Sequence, residues 1–134
     1  MIVNTAYMYM SRKPVIKDFP LWENGKLNVS MAGSSSGATF ISAQNKVRIG
    51  NNSYATFTMD ATNYSKLKVN ANSYGEAIIG VYILPGPVNT KTYTIPASAT
   101  DFEYEIPSAY RGPNLKIQIE SNATLFLNSA VLTN

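Results

Sequence analysis

Apolar and polar residues alternate with a period of two through most of the chain. The segment "KLKVNA" (66–71) places Leu67, Val69 and Ala71 on one side and polar residues on the other. Because successive side chains of a β-strand point to opposite faces, each such run predicts a strand with one buried face. The inward residues predicted from the other runs are Leu27, Val29 and Met31; Phe57 and Met59; Phe102, Tyr104 and Ile106; Leu115, Ile117 and Ile119; and Leu125, Leu127, Ala130 and Leu132, around a bulge near Asn128.

One segment differs, because "AIIGVYIL" (77–84) is apolar at nearly every position. It predicts a central strand that is covered on both faces. Shorter patterns predict strands near residues 3–10, 38–42, 46–50 and 91–95. Segments rich in Gly, Pro, Asn and Ser separate these runs, and no window has the spacing of a helix. The chain is therefore predicted to be all-β, an antiparallel sandwich or barrel.

The 134 residues match the size of a single domain, with one core between two sheets. The residues predicted to lie in that core include Leu67, Val69, Ile79, Val81, Ile117 and Ile119. Residues 1–25 are predicted to form an N-terminal strand and an arm or long loop, and residues 26–134 form the sandwich. The arm, 11–25, holds two prolines, which oppose regular strand pairing. An idle linker would not carry its apolar residues Phe19, Leu21 and Trp22, so they must be buried on the chain's own sandwich or on a neighbour, and we predict that they dock on a partner.

The chain contains no His and no Cys. Thiol nucleophiles, Ser-His-Asp triads, imidazole bases and ordinary zinc sites are therefore excluded. The eight acidic residues show no pair of the kind that a glycosidase requires. We predict a protein with no enzymatic activity, no catalytic residue, no metal site and no cofactor. Asp101, Glu103 and Glu105 leave a Ca²⁺ site as an alternative, but we favour a solvated strand face paired with Lys66 or Lys68.

Two groups of side chains suggest binding. Five basic side chains project from strands: Lys46, Arg48, Lys66, Lys68 and Lys116. They form either a basic face that binds phosphate or an acidic wall polymer, or charges that keep the protein soluble. The net charge of +3 is small, which favours solubilising charges and predicts no nucleic-acid partner. The aromatic residues without a clear core position suit a sugar, or else pack under loops. The candidate ligand-binding residues are Trp22, Tyr54, Tyr74, Tyr82, Tyr110 and Arg111.

The segment "MDATNYSKLKVN" (59–70) resembles a signature of jelly-roll domains in tail and other virion proteins of phages that infect Gram-positive bacteria. The segment "FEYEIPSAYRGPNLKIQIESNATLFLNSAVLT" (102–133) resembles the closing half of the same domains. The resemblance covers roughly residues 39–133, and these domains are similar to carbohydrate-binding modules and galactose-binding-like sandwiches. It implies a single jelly-roll β-sandwich. From the residues themselves, Tyr64 and Leu67 are predicted to anchor a crossover between the two sheets.

The resemblance further implies a non-enzymatic virion protein that decorates a capsid or tail. Its expected partners are other virion proteins, in a homo-oligomer or symmetric array. The alternative is a carbohydrate-binding module that contacts host cell-surface glycans. The first residues lack the order of a signal peptide, and no run is long enough to span a membrane. The expected location is the virion, after synthesis in the host cytoplasm without a signal peptide, with no membrane partner.

Overall fold

The computed structural model describes residues 16–33 and 37–134. The strand predicted near residues 3–10 lies outside this range. Within it the chain forms thirteen strands and two short 3-10 turns, at Ser42–Gln44 and Ser108–Tyr110. The strands are β1 (Phe19–Pro20), β2 (Trp22–Glu23), β3 (Lys26–Leu27), β4 (Ser30–Gly33), β5 (Ala38–Ile41), β6 (Lys46–Ile49), β7 (Ser53–Met59), β8 (Lys66–Ser73), β9 (Glu76–Leu84), β10 (Val88–Pro96), β11 (Thr100–Glu105), β12 (Leu115–Ser121) and β13 (Leu125–Thr133).

Two antiparallel sheets make the sandwich. The six-stranded sheet has the order β11-β8-β13-β6-β5, with β1 added beside β13, and the five-stranded sheet has the order β10-β9-β12-β7-β4. Strands β2 and β3 form a separate ribbon. From β10 onward each successive strand lies in the opposite sheet, as in a jelly roll. The predicted jelly-roll β-sandwich is therefore confirmed. No helix in the described part of the chain is long and apolar enough to cross a membrane.

The core forms where the inner faces of the two sheets meet. All six residues predicted for it are at most 1% exposed. The inward faces predicted for β7, β8, β11, β12 and β13 are also confirmed, since Phe57, Ala71, Tyr104, Leu115 and Leu127 are all buried. The register of β13 against β8 shifts between Leu127 and Ser129, which places the predicted bulge at Asn128. Alternation in the sequence therefore identified the buried faces of the long strands.

Residues 60–65 connect β7 of one sheet to β8 of the other, as predicted. The Asp60 carboxylate accepts hydrogen bonds from the Thr62 backbone N–H (3.0 Å) and hydroxyl (2.6 Å), which closes a turn. The Tyr64 hydroxyl donates to the Lys17 carbonyl at 2.8 Å, and Leu67 is fully buried. Tyr64 and Leu67 thus anchor the end of this crossover that leads into β8.

The interpretation of residues 16–25 as an arm for docking requires correction. Phe19 and Pro20 pair with Leu132 and Val131 of β13, beyond the part of β13 that pairs with β6. Pro20 lacks an N–H, but the next residue restores a backbone bond, from Leu21 N–H to the Ala130 carbonyl at 2.8 Å. Leu21 is fully buried in the core. This segment therefore covers the chain's own sandwich.

The alternating run "KLNVSM" is also not one strand. Asn24 and Gly25 both have positive φ angles, of 52° and 75°, and form the tight turn that pairs β2 with β3. The run is then divided between β3 in this ribbon and β4 in the five-stranded sheet. As a result Leu27, which was predicted to point inward, is 37% exposed.

Candidate functional site

The outer face of the five-stranded sheet holds a hollow of about 430 Å³. Neighbouring strands place Tyr54 (β7) beside Glu120 (β12), Glu120 beside Gly80 (β9), and Gly80 beside Thr92 (β10). These four residues form a row across four strands, and we call the depression the sheet hollow. Its rim and floor are completed by Asn52, Ser53, Ile78, Ile79, Thr90, Ser121 and Asn122.

Gly80 creates the space at the centre of the sheet hollow. A Cβ atom on this residue would lie 3.3 Å from Oε1 of Glu120, which is tighter than ordinary contact. Without that atom the Glu120 side chain can lie across the neighbouring strand. Ile78, two residues earlier on β9, is 50% exposed and adds an apolar surface. A strand that was predicted to be covered on both faces is therefore open to solvent on its outer face.

A chain of hydrogen bonds holds the carboxylate of the sheet hollow in place. The Thr56 hydroxyl donates to Oε1 of Gln118 at 2.8 Å, and the Gln118 amide donates to the Tyr82 hydroxyl. The Tyr82 hydroxyl lies 3.2 Å from Oε2 of Glu120, to which it donates. Each of these three side chains donates to the next one, and the last bond, from the Tyr82 hydroxyl, orients the Glu120 carboxylate.

The protonation of Tyr82 is consistent with its role as a donor. Partial burial, followed by the negative charge of Glu120, raises the pKa of the Tyr82 phenol. The Tyr82 side chain is only 7% exposed, so it holds Glu120 by a hydrogen bond and offers little surface of its own to a ligand. Glu120 itself is exposed, so its oxygen atoms can reach a ligand above the sheet.

The sheet hollow suits a neutral ligand that carries many hydroxyl groups. An oriented carboxylate accepts strong hydrogen bonds, and Thr92 and Asn52 offer further polar groups around the rim. Tyr54, which is 37% exposed, presents an aromatic ring at one end of the row. Among the described lining residues Glu120 is the single carboxylate, so the second acid that glycoside hydrolysis requires is not present there.

The structure brings together only two of the aromatic residues predicted to bind a ligand. Tyr54 and Tyr82 lie in neighbouring rows of the outer face, whereas Tyr74 lies just beyond the end of β8, where it is 75% exposed and contacts Phe126 of the six-stranded sheet. Tyr110 lies in a 3-10 turn at one end of the sandwich, beside Arg111. Nε of Arg111 donates to the Ile106 carbonyl at 2.8 Å, which ties that side chain to the loop.

Trp22 does not occupy a ligand-binding position. It is 3% exposed, with its ring centroid 5.9 Å from that of Phe57 and 6.3 Å from that of Phe40. Its indole N–H donates to the Asn45 carbonyl at 3.0 Å. Burial in the core therefore removes Trp22 from both predicted roles, ligand binding and docking, and removes Leu21 from docking. Phe19 is half-buried against the same core.

Sequence reasoning missed Gln118, Glu120, Gly80 and Thr92 as candidate site residues. Gln118 and Glu120 occupy polar, outward positions of "LKIQIE", but alternation alone does not show which polar face of a sandwich binds a ligand. The useful signal was the apolar outer face of "AIIGVYIL" next to those polar positions. Such a face indicates either a covering layer or a surface that binds something.

The acidic strand face at Asp101, Glu103 and Glu105 pairs with lysines, as favoured. Asp101, Glu103 and Glu105 lie beside Asn70, Lys68 and Lys66 of β8, and Nζ of Lys66 lies 3.3 Å from Oε2 of Glu103. Asp101 accepts a hydrogen bond from the Asn70 amide at 2.9 Å. Within residues 16–33 and 37–134, no group of three acidic side chains is placed to hold a metal ion.

No family model matches the sequence, and no curated protein matches it either. Solved structures match the fold. A family 2 carbohydrate esterase from Cellvibrio japonicus superposes with a TM-score of 0.59 at 15% identity, over 88% of this chain and 33% of the esterase. This chain thus corresponds to about a third of that enzyme.

Two carbohydrate-binding modules match over most of their own length. A family 6 module superposes with a TM-score of 0.58 at 11% identity, over 78% of this chain and 93% of the module. A family 29 module complexed with mannohexaose gives a TM-score of 0.58 at 11% identity, over 87% of this chain and 90% of the module. At these identities the likeness shows a shared β-sandwich fold and leaves function to the residues of this chain.

Proposed function

We propose that this domain is a non-catalytic carbohydrate-binding module and that the sheet hollow is its binding site. The observation that carries the proposal is the row Tyr54–Glu120–Gly80–Thr92, with Glu120 oriented by the Thr56–Gln118–Tyr82 chain. A fixed acceptor beside an exposed aromatic ring matches the two surfaces of a sugar, its hydroxyl edge and its apolar C–H face.

The charge and width of the site indicate a neutral polysaccharide chain. Glu120 would repel an anionic sugar, while it accepts hydrogen bonds from neutral hydroxyl groups. The row crosses four strands, a width of about 14 Å at three strand spacings. A surface of this width accommodates several sugar units of an extended chain rather than a single monosaccharide. The fold likeness to modules of families 6 and 29 supports this proposal.

The absence of catalysis is also part of the proposal. The structures with matching folds include binding modules, and the esterase is matched over only a third of its length. The chain has neither His nor Cys, and the sheet hollow offers one carboxylate among its described residues. These features supply an acceptor for hydroxyl groups but neither a nucleophile with its base nor a pair of carboxylic acids.

The virion role stays a prediction that rests on the sequence resemblance. Its predicted mechanism was docking by residues 1–25 and by one sheet face, and Leu21 and Trp22 of that segment are buried in the chain's own core. The matching folds favour the carbohydrate-binding alternative. Location in a virion, virion partners and a symmetric array stay predictions as well. A carbohydrate-binding domain attached to a phage particle would satisfy both hypotheses.

Calorimetric titration with neutral hexasaccharides tests the proposal. We expect mannohexaose, cellohexaose or another neutral chain of a small panel to bind, and Tyr54→Ala and Glu120→Gln each to weaken binding by about tenfold. Tyr74→Ala, which removes an aromatic ring that packs against the opposite sheet, serves as the matched control and should leave affinity unchanged. An equal loss of affinity in all three variants would contradict the assigned site. Unchanged affinity in both Tyr54→Ala and Glu120→Gln would place the site elsewhere.

A further inference from the structure

The outer face of the six-stranded sheet carries a second cluster of aromatic and charged side chains, centred on Phe126. Phe126 lies directly between Arg48 of β6 and Asn72 of β8 in the strand register. Nζ of Lys46 lies 5.0 Å from the centroid of the Phe126 ring. The ring of Tyr74 meets Phe126 edge to face, with 5.4 Å between centroids. We call these five residues the Phe126 patch.

The cations of the Phe126 patch are set apart from the acidic residues of the same sheet. Asp101, Glu103 and Glu105 lie on β11, where they face Asn70 and the lysines of β8. Strand β6 is three strand spacings away, about 14 Å, which exceeds the screening length of about 8 Å at physiological salt. In the described part of the chain, neither Lys46 nor Arg48 forms an ion pair with a carboxylate.

Asparagine side chains extend the Phe126 patch along the sheet. Because of the bulge in β13, the Asn128 amide can donate to both Asn70 (2.9 Å) and Asn72 (3.0 Å). Hydrogen bonding fixes the orientation of these amides, which lie beside the half-buried ring of Phe126 and the exposed ring of Tyr74. Tyr74 is 75% exposed, a large aromatic surface to leave in water.

We propose that the Phe126 patch binds an anionic glycan, a sugar chain that carries carboxylate or phosphate groups. The apolar face of a sugar unit would stack on Tyr74 and Phe126, and its acidic group would lie between Lys46 and Arg48. Arginine binds both kinds of acidic group through paired hydrogen bonds. This surface lies on the opposite side of the sandwich from the sheet hollow, and it is proposed to bind anionic rather than neutral glycans. The proposal therefore does not depend on the neutral-glycan site.

Affinity electrophoresis in gels that contain polygalacturonate provides the test, with fully methyl-esterified polygalacturonate as the uncharged form of the same chain. A parallel gel with phosphomannan separates phosphate from carboxylate recognition. We expect retardation by one or both anionic polymers, none by the methyl ester, and weakening as salt is raised. Lys46→Gln/Arg48→Gln should weaken binding by about tenfold or more.

Two single substitutions make the test specific. Tyr74→Ala should weaken binding by about fivefold or more, as expected for the loss of a stacking ring, and its exposure makes misfolding an implausible cause. Lys68→Gln removes one positive charge from the same sheet face, beside Glu103, where the double variant removes two, and it should change binding less than twofold.

Four results would overturn the proposal. The first is no retardation by either anionic polymer, and the second is equal retardation by the methyl ester. The third is a loss of binding free energy in Lys68→Gln that reaches half of the loss in the double variant, which would indicate net charge alone. The fourth is binding of duplex DNA as tight as that of the glycans, which would indicate a general polyanion surface.

Discussion

Replacing Trp22 with alanine should strongly destabilise the protein. The side chain is 3% exposed and packs against Phe57 and Phe40, and its N–H bonds to the Asn45 carbonyl. Removal of a buried tryptophan leaves a large cavity and typically costs about 3–5 kcal/mol. We expect Trp22→Ala to lower the free energy of unfolding by that amount. Trp22→Phe, which keeps a ring but loses the hydrogen bond, should cost about 1–2 kcal/mol.

Urea unfolding followed by far-UV circular dichroism measures both variants. Fluorescence is unsuitable for them because Trp22 is the only tryptophan of the chain. In the unmodified protein, however, Trp22 emission should be blue-shifted and should shift to the red in the same transition. A loss below about 1 kcal/mol in Trp22→Ala would refute the placement of this segment in the core and revive its interpretation as a docking arm.

The remaining predictions concern the core, the N-terminal segment and the tyrosines. Leu67→Ala or Ile117→Ala should lower the free energy of unfolding by about 2–5 kcal/mol, and a loss below about 1 kcal/mol at both would contradict the assigned inner faces. Deletion of residues 1–25 should destabilise or unfold the sandwich, because it removes Leu21 and Trp22 from the core; a fully stable truncated protein would contradict this. Burial, with smaller effects of Tyr93 and Tyr110, raises the pKa of Tyr104 from 10.0 to about 12. The folded state therefore holds this proton more tightly than the unfolded chain, so the associated stability is complete below pH 10.0 and is lost as the pH rises towards 12. Ultraviolet titration of tyrosinate should show a group that ionises near pH 12, and this group should be missing in Tyr104→Phe.

The long strands could be predicted from the sequence because their alternation reflects one buried face. That physical constraint is local, so β8, β12 and the bulge of β13 were identified correctly. The segment from Phe19 to Leu27 could not be predicted in this way. Its fold depends on pairing with β13, more than 100 residues away, and on the Asn24–Gly25 turn. Two prolines concealed that pairing, and no local pattern indicates a distant partner.

The sheet hollow was only partly predictable for a related reason. Tyr54 and Tyr82 were chosen because aromatic residues suit sugars, but their proximity arises from the strand order β9-β12-β7. The same order places Glu120 between Tyr54 and Gly80, and composition alone cannot provide it. Trp22 was chosen by the same chemical criterion but is buried. The criterion fails there because an aromatic side chain suits a core as well as a binding surface.

Nuclear magnetic resonance titration of the isotope-labelled protein with a neutral hexasaccharide tests the central claim most directly. We predict that mannohexaose, or a related neutral chain that binds, will shift the backbone amides of Tyr54, Gly80, Thr92 and Glu120. The amides of Asn72 and Phe126 on the other sheet, and of Tyr74 just beyond the end of β8, should stay unchanged. Glu120→Gln should reduce the shifts at equal ligand concentration. Saturable shifts confined to another surface, or no shift with any neutral chain of the panel, would contradict the assignment of the sheet hollow as a carbohydrate-binding site.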